Sequence, residues 1–313
     1  MCRNIGHYRK SIYEGLLDIS FVIVTYNSIE PLKECVSSLV SSINFEVYFE
    51  IIIVDNNSHD GSIQFIQENY PDIQLIKNEV NVGYTKAMNI GLKLATGNYL
   101  VQLNPDVFIN PGTFQSLISW MDLHDDVGIC IPKVLNQDGT FQKQCRRGFA
   151  RPLEVFSYFL KLDRIFPNHK VIGNYVKTYL PEDEIAQVDA VSGSCMMIRK
   201  EVISDIGYLD ERYFAYQEDT DFCFRANKAG WKVFYLPFVS VIHQGGRGGS
   251  RSDPYKAIYE WHRSYYLYYR KNLAKDYFFL VNWIMYLFIG IKLLFSLIGA
   301  LFSKEKVVGT KKP

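Results

Sequence analysis

An α/β fold, a sheet with helices packed on both faces, is what this sequence predicts. Two observations predict it. Apolar runs alternate with helical patterns through the first half of the chain, and successive runs end in short polar loops. Strand, helix, strand at short spacing means parallel crossovers, so helices cover both faces of the sheet. In such sheets ligands bind at the carboxyl ends of the strands.

The first apolar run is "DISFVIVTYN", followed by a helical pattern from about Pro31; the second is "FEIIIVDNNS", with a helix from about Asp60. "IQLIKN" and "NYLVQLNPD" repeat that logic around the helix "YTKAMNIGLKLA". The loops "TYNS", "DNNSHDGS" and "LNPD" should meet at one rim, where Asn and Asp side chains bond backbone or ligand. Between Arg146 and Pro181 the pattern fades into an aromatic, basic stretch that suits either short helices closing over a site or a surface excursion. Order returns at "AQVDAVSGSCMMIRKEVISDIGYLDERYF", with a strand and a helix begun near Lys200, and "WKVFYLP" and "VSVIHQGG" read as two further strands.

The 313 residues are 48% hydrophobic, ample for a sizeable core. With 34 basic against 33 acidic side chains the net charge is +1, so no global field draws a polyanion, and nucleic acid is not an expected partner. Six cysteines without a C-x-x-C pair read as reduced thiols. The opening "MCRNIGHYRKSIYEGLLDIS" lacks a signal peptide's apolar stretch, which predicts a cytosolic folded domain.

Three motifs carry chemistry. "YFAYQEDTD" sets Glu218, Asp219 and Asp221 at a helix start behind Tyr213, Phe214 and Tyr216. Acidic residues in a first turn complement the helix dipole, and a carboxylate there is also a candidate general base. The aromatics make either an apolar platform beside the acids or part of the core. "VQLNPDV" places Asn104 and Asp106 around Pro105 at a strand end, where side-chain oxygens serve a hard cation or a diphosphate-bound metal. His243 ends an apolar strand and precedes "QGGRGGS", whose glycines let backbone approach phosphate. No G-x-G-x-x-G follows the first strand, which argues against a nicotinamide enzyme.

Taken in order, "VTYN" (24–27), "VDNNSHDGS" (54–62), "NVGYTKAMNIGLKLATGNYLVQLNPDV", the segment from "SGSCMMIRK" through "QEDTDFCFRANKAGWKVFYLP", and "VIHQGG" resemble the inverting glycosyltransferases of family 2. The resemblance runs from about Ile19 to Ser250 and implies the GT-A nucleotide-sugar-binding fold, a Rossmann-like mixed sheet with helices on both faces. It divides the chain into an N-terminal extension (1–18), the GT-A domain (19–250) and a membrane-associated C-terminal segment (251–313). It implies that Thr25, Asn27 and Asp55 hold the base and ribose of a nucleotide-sugar donor. Asn104 and Asp106 then lie at its diphosphate, Asp106 on a bridging Mg²⁺ or Mn²⁺. His243 approaches the metal from the other side, and Arg247 neutralises phosphate. The resemblance makes Asp219 the catalytic base, with Tyr213, Phe214 and Glu218 on the acceptor side; Asp221 reads as a cap or structural partner. One departure stands out: the family's familiar metal motif is Asp-x-Asp, whereas its first position here is Asn104. The L-N-P-D form resembles the branch that transfers L-rhamnose from dTDP-rhamnose. A UDP-sugar donor is the alternative, and a non-catalytic sugar-nucleotide-binding scaffold is the alternative to catalysis.

From Tyr277 to Phe302 the only charge is Lys292, and the stretch is long enough to cross a bilayer of roughly 30 Å. The aromatic and basic "YKAIYEWHRSYYLYYRKNLAKDYFF" before it suits a helix at a lipid headgroup layer or one packed on the catalytic domain. Lysines on both sides of a single span sit badly with the positive-inside tendency, which favours monotopic or re-entrant association, with a spanning helix as the alternative. The expected place is the cytoplasmic face of the cell membrane. The expected acceptor is a glycan or glycolipid, which the resemblance narrows to undecaprenyl diphosphate sugars.

Overall fold

Residues 18–43, 47–246 and 253–302 are described by a computed structural model. Strand and helix alternate as expected through β1 (Ile19–Thr25), α1 (Ile29–Ser42), β2 (Phe49–Asp55), α2 (Ser62–Asn69), β3 (Gln74–Lys77), α3 (Tyr84–Leu94) and β4 (Tyr99–Leu103). Then come β5 (Val107–Ile109), α4 (Thr113–Asp122), β6 (Val127–Leu135), β7 (Arg146–Arg147), α5 (Pro152–Phe159) and α6 (Leu162–Ile165). After these follow β8 (Ala186–Gln187), β9 (Ala190–Val191), β10 (Cys195–Arg199), α7 (Lys200–Ile206), α8 (Glu218–Lys228) and β11 (Lys232–His243). Two long helices, α9 (Pro254–Tyr268) and α10 (Phe279–Phe302), close the described chain.

The main sheet runs β3-β2-β1-β4-β10-β6-β11-β5, with β8 pairing on β11. β1 is parallel to both β2 and β4, whereas β10 enters antiparallel between β4 and β6. The sheet is therefore mixed. Every residue of β1 is buried, as expected of a strand with helices over both faces. Phe21 meets Phe114 of α4 edge-on at 4.6 Å between ring centroids, closing one of those faces. The five described cysteines are all unpaired and buried.

Residues 232–243 correct one expectation. The two strands read from "WKVFYLP" and "VSVIHQGG" are a single strand, β11, with an irregularity in register between Leu236 and Ser240. Pro237 interrupts the ladder there without ending the strand, the position at which a sheet tolerates proline.

A second hydrophobic cluster lies apart from the sheet. Ala150, Val155, Tyr175 and Val176 of the excursion pack with Tyr265 and Tyr268 of α9, Met285 of α10, and Tyr213. The stretch 146–181 is thus neither a free loop nor a lid: it shares a core with the C-terminal helices. Pro254 at the start of α9 has no N–H to leave unsatisfied, and the Asp253 side chain caps that helix by accepting from the Lys256 N–H at 3.0 Å.

Candidate active site

Register brings the first site residues together. Thr25 and Asp55 end adjacent parallel strands and are direct partners, and Asn104 follows the end of β4 beside them. Thr25 Oγ1 lies 2.8 Å from Ser28 Oγ. Asn27 adopts a left-handed conformation (φ 47°), donates its backbone N–H to Ser58 Oγ at 2.9 Å, and accepts the His59 N–H on its amide oxygen at 2.8 Å. It clamps the first two loops together.

Asp55 is fully buried. Its Oδ2 accepts the N–H groups of Asn57 (3.1 Å) and Ser58 (2.9 Å), while Oδ1 is buried with no hydrogen-bond partner. A desolvated, unsatisfied carboxylate oxygen is costly, and it marks a place where a ligand N–H or hydroxyl completes the bonding. Sequence reading missed the amides underneath. Asn56 donates to Asn81 Oδ1 (2.9 Å) and accepts from Asn78 Nδ2 and the Val82 N–H (both 3.1 Å), which fixes the loop leading into α3. The asparagines of "KNEVNVG" were the available signal. That loop ends at Gly83 (φ 92°), where an added Cβ would meet the Phe214 ring at 2.7 Å.

A second corner forms because β11 pairs antiparallel with β5, setting His243 against Val107 and hence beside Asp106. His243 Nε2 is 3.2 Å from Asp106 Oδ1, and its Nδ1 is 2.8 Å from Gln142 Oε1. An amide oxygen only accepts, so Nδ1 carries a proton and Nε2 is the nitrogen turned to Asp106. Asn104 turns its amide oxygen to the Tyr84 hydroxyl (3.0 Å), leaving its amide nitrogen 3.4 Å from His243 Nε2.

The acidic pair sits across from this corner at the start of α8. Tyr216 and Gln217, immediately before it, both have positive φ (68° and 63°), backbone strain that gathers at functional sites. Asp219 Oδ2 accepts from Arg147 Nη2 at 2.6 Å and from the Gly193 N–H at 2.9 Å; Oδ1 accepts from the Thr220 N–H at 2.6 Å. Gly193 is required by crowding, since a Cβ there would fall 2.0 Å from Gln102 Nε2. Glu218 is buried with its Oε2 unpartnered, and burial, then the Asp219 charge, push its carboxyl up to about 8.

Tyr84 joins the two corners. Its half-buried phenol donates to Asn104 Oδ1 and is pushed well above its ordinary value by desolvation and then by the charges of Glu218, Asp219 and Asp106. Tyr84 therefore lies within electrostatic range of both the acidic pair and Asp106.

Three site expectations need restating. Tyr213 is not on an acceptor platform: it is 1% exposed in the second core, with its hydroxyl 3.3 Å from Asp221. Phe214 is half-buried, between Gly83 and the Lys256 ammonium, which lies 4.2 Å from its ring centroid. Arg247 lies outside the described residues.

The model of glycosyl transferase family 2 matches residues 20–207, from β1 through α7. This chain belongs to family 2 of the glycosyltransferases. Among the relatives of this glycosyltransferase is the N-acetylglucosaminyl-diphospho-decaprenol L-rhamnosyltransferase of Mycobacterium tuberculosis, 28% identical over 258 residues (79% of this chain, 82% of that protein). The Escherichia coli rhamnosyltransferase WbbL is 26% identical over 78% of this chain and 89% of its own length. Among solved structures, the Pyrobaculum calidifontis mannosyltransferase PcManGT in complex with GDP-Man and Mn²⁺ superposes with a TM-score of 0.55 at 16% identity (95% of this chain, 81% of that one). Staphylococcus aureus TarS 1–349 in complex with UDP-GlcNAc gives 0.55 at 18% identity (82% and 68%). These neighbours establish the GT-A fold of the glycosyltransferase. The family match ends before α8, so the acidic pair is argued from geometry.

Proposed function

We propose that this glycosyltransferase moves L-rhamnose, with inversion, from dTDP-rhamnose to a lipid-linked saccharide at the cytoplasmic face of the cell membrane, in cell-surface polysaccharide assembly. The observation that carries the catalytic reading is the Gly193–Ser194 step, whose Gly193 N–H bonds Asp219 at 2.9 Å while the Ser194 carbonyl accepts from the Asn104 N–H at 2.9 Å, so that the acidic pair and the Asn104–Asp106 loop lie side by side. An inverting transfer needs those two groups on opposite sides of the reacting carbon: a base for the acceptor hydroxyl and neutralisation for the departing diphosphate. Asp219 takes the hydroxyl proton. Arg147 and the Gly193 N–H hold its carboxylate in position, and Glu218 beside it stays largely protonated at neutral pH.

The donor set of the second corner fits a divalent cation. Asp106 offers a carboxylate oxygen and His243 its Nε2, with the ring held in orientation by the Nδ1–H bond to Gln142. Asn104 does not join, because its oxygen faces Tyr84. Among the described residues no group of three or more His, Cys, Asp or Glu side chains converges, so the remaining ligands of Mg²⁺ or Mn²⁺ come from the diphosphate and water. Such a cation, when bound, offsets charge on the leaving nucleoside diphosphate.

Support for the donor comes from the two rhamnosyltransferase relatives, and support for a lipid-diphosphate acceptor from the name of the mycobacterial one. Support for the membrane comes from α10, 24 residues long and apolar enough to cross a bilayer, with Trp283, Leu287, Leu294, Phe295, Leu301 and Phe302 exposed. In our reading α10 lies in the interface instead of crossing it. Lys292 anchors its middle to the protein, 4.0 Å from the Trp261 ring centroid, 4.8 Å from that of Phe159 and 3.4 Å from His262 Nε2.

The test is release of free nucleoside diphosphate from a panel of nucleotide sugars by purified protein, with and without Mg²⁺ or Mn²⁺. Metal-dependent turnover of dTDP-rhamnose alone supports the reading. Preference for a UDP-sugar would keep the mechanism and replace the donor; silence across the panel from folded protein would remove both.

A further inference from the structure

The excursion between β7 and β8 has a use that donor and acceptor chemistry leave open. Its helix α5 packs directly on α10: the Phe156 and Phe288 rings are 4.8 Å apart, Phe159 and Phe288 5.7 Å, and Phe159 also faces Lys292. On their inner sides both helices join the same core, through Val155 and Met285. On the outer side α10 exposes Leu287 and Phe295. Alongside, Leu153 (61% exposed) and Leu160 (65%) lie about two helical turns apart on one stripe next to Phe156, and α6 adds Ile165 (66%) with Phe166 after it (52%). Four large apolar side chains exposed to this degree on two short helices and the residues that end them are not explained by the fold.

Charge around these residues has one sign. Arg151, Lys161, Arg164 and Lys170 are exposed, whereas the nearby acids Glu154 and Asp163 are buried. Arg151 shares part of its charge with Glu154 at 3.5 Å. Apolar side chains rimmed by cations complement an anionic lipid surface, where the chains enter the acyl boundary and the cations meet phosphate.

We propose that α5–α6 and α10 form a single face that seats the enzyme on an anionic phospholipid bilayer. The proposal rests on the membrane reading above and extends it from one helix to two elements. It has a consequence for the site. β7, at the root of the excursion, carries Arg147, which holds Asp219. Seating α5–α6 on lipid brings the base close to the bilayer surface, where the head sugar of a lipid-linked acceptor lies.

The experiment dilutes full-length protein from detergent onto phosphatidylcholine vesicles, with or without phosphatidylglycerol, and measures the fraction that floats. Donor hydrolysis in detergent reports folding of each variant. The expected result is that Leu160→Glu with Ile165→Glu lowers vesicle binding about tenfold or more. Lys161→Ala with Arg164→Ala should abolish only the preference for phosphatidylglycerol. Full binding by the Leu160→Glu, Ile165→Glu protein, with loss in Leu287→Glu, Phe295→Glu, would overturn the two-element face and leave α10 as the membrane contact. Failure of the wild-type protein to float would remove the membrane reading as well. Conversion of a dimer to a monomer by the α5–α6 variant, with vesicle binding intact, would assign the face to a second copy of the chain and refute the lipid.

Discussion

Replacing Asp221 with Asn should cost stability and spare chemistry. The Asp221 side chain is fully buried and receives Arg225 Nε (3.0 Å), Lys271 Nζ (2.7 Å), Asn272 Nδ2 (2.8 Å) and the Tyr213 hydroxyl (3.3 Å). Removing one partner of a buried ion pair costs about 3–5 kcal/mol when the surviving charge is stranded. Here the survivors are not stranded. Lys271 keeps Asp210 at 2.7 Å, and Arg225 keeps the carbonyls of Ile206 (2.6 Å) and Tyr208 (2.8 Å). Their side chains are also 25% and 21% exposed, and asparagine retains one acceptor oxygen. The expected loss is therefore about 2–3 kcal/mol, below that range. At roughly 2 °C per kcal/mol for a chain this long, melting falls by about 4–6 °C. Thermal unfolding in detergent measures the shift, and nucleotide release well below the transition measures the chemistry. An unchanged melting curve would refute the network argument. Unchanged melting with transfer lost about 100-fold would move the base from position 219 to position 221.

Three further outcomes follow from the site. Asp219→Asn should lower transfer about 100-fold or more while donor binding persists; because this leaves the Arg147 guanidinium without its anion, Arg147→Met in the same chain should recover stability but not turnover, and restored turnover would sink the assignment. Glu218 has a folded-state pKa of about 8 against an ordinary 4.5, so the folded protein holds a proton that the unfolded chain releases, and stability falls as pH rises between those values; Glu218→Gln should flatten that slope between pH 5 and pH 8.5 in thermal unfolding, and an unaltered slope would remove Glu218 as its source. Gln142→Leu should weaken Mn²⁺ binding in the presence of nucleoside diphosphate by about 10- to 100-fold, read by electron paramagnetic resonance, because His243 loses the acceptor that fixes its tautomer; Gln142→Glu should retain binding, and equal loss in both variants would make the residue merely structural.

What the sequence made legible was local. The ends of β1, β2 and β4 carry Thr25, Asp55 and Asp106 because an apolar run closed by a polar loop is a pattern within ten residues, and parallel pairing then aligns the ends. The groups that hold these residues in place are distant in sequence. Arg147 is 72 residues from Asp219, Gln142 is 101 from His243, and Lys271 is 50 from Asp221, so no spacing rule connects them. Tyr213 shows the same limit: platform and core differ only in whether another element covers the ring, and its cover is supplied by α9 and the excursion. The two strands read from "WKVFYLP" and "VSVIHQGG" are one because Pro237 sits at an irregularity in β11, where a ladder tolerates a residue without an N–H.

The first turn of α8 explains why three acids stand so close together. Residues 218, 219 and 221 cannot all face one way on a helix of 3.6 residues per turn. Glu218 and Asp219 lie within electrostatic range of Tyr84, while Asp221 turns to Lys271 and Asn272 in the π-helical turn Tyr269–Leu273 between α9 and α10. A few residues therefore tie the candidate base to the segment that carries α10: Asp221, two residues from Asp219, bonds Lys271 and Asn272. A charged cluster that first reads as dipole complementation is, on this geometry, the joint between the site and the C-terminal helices.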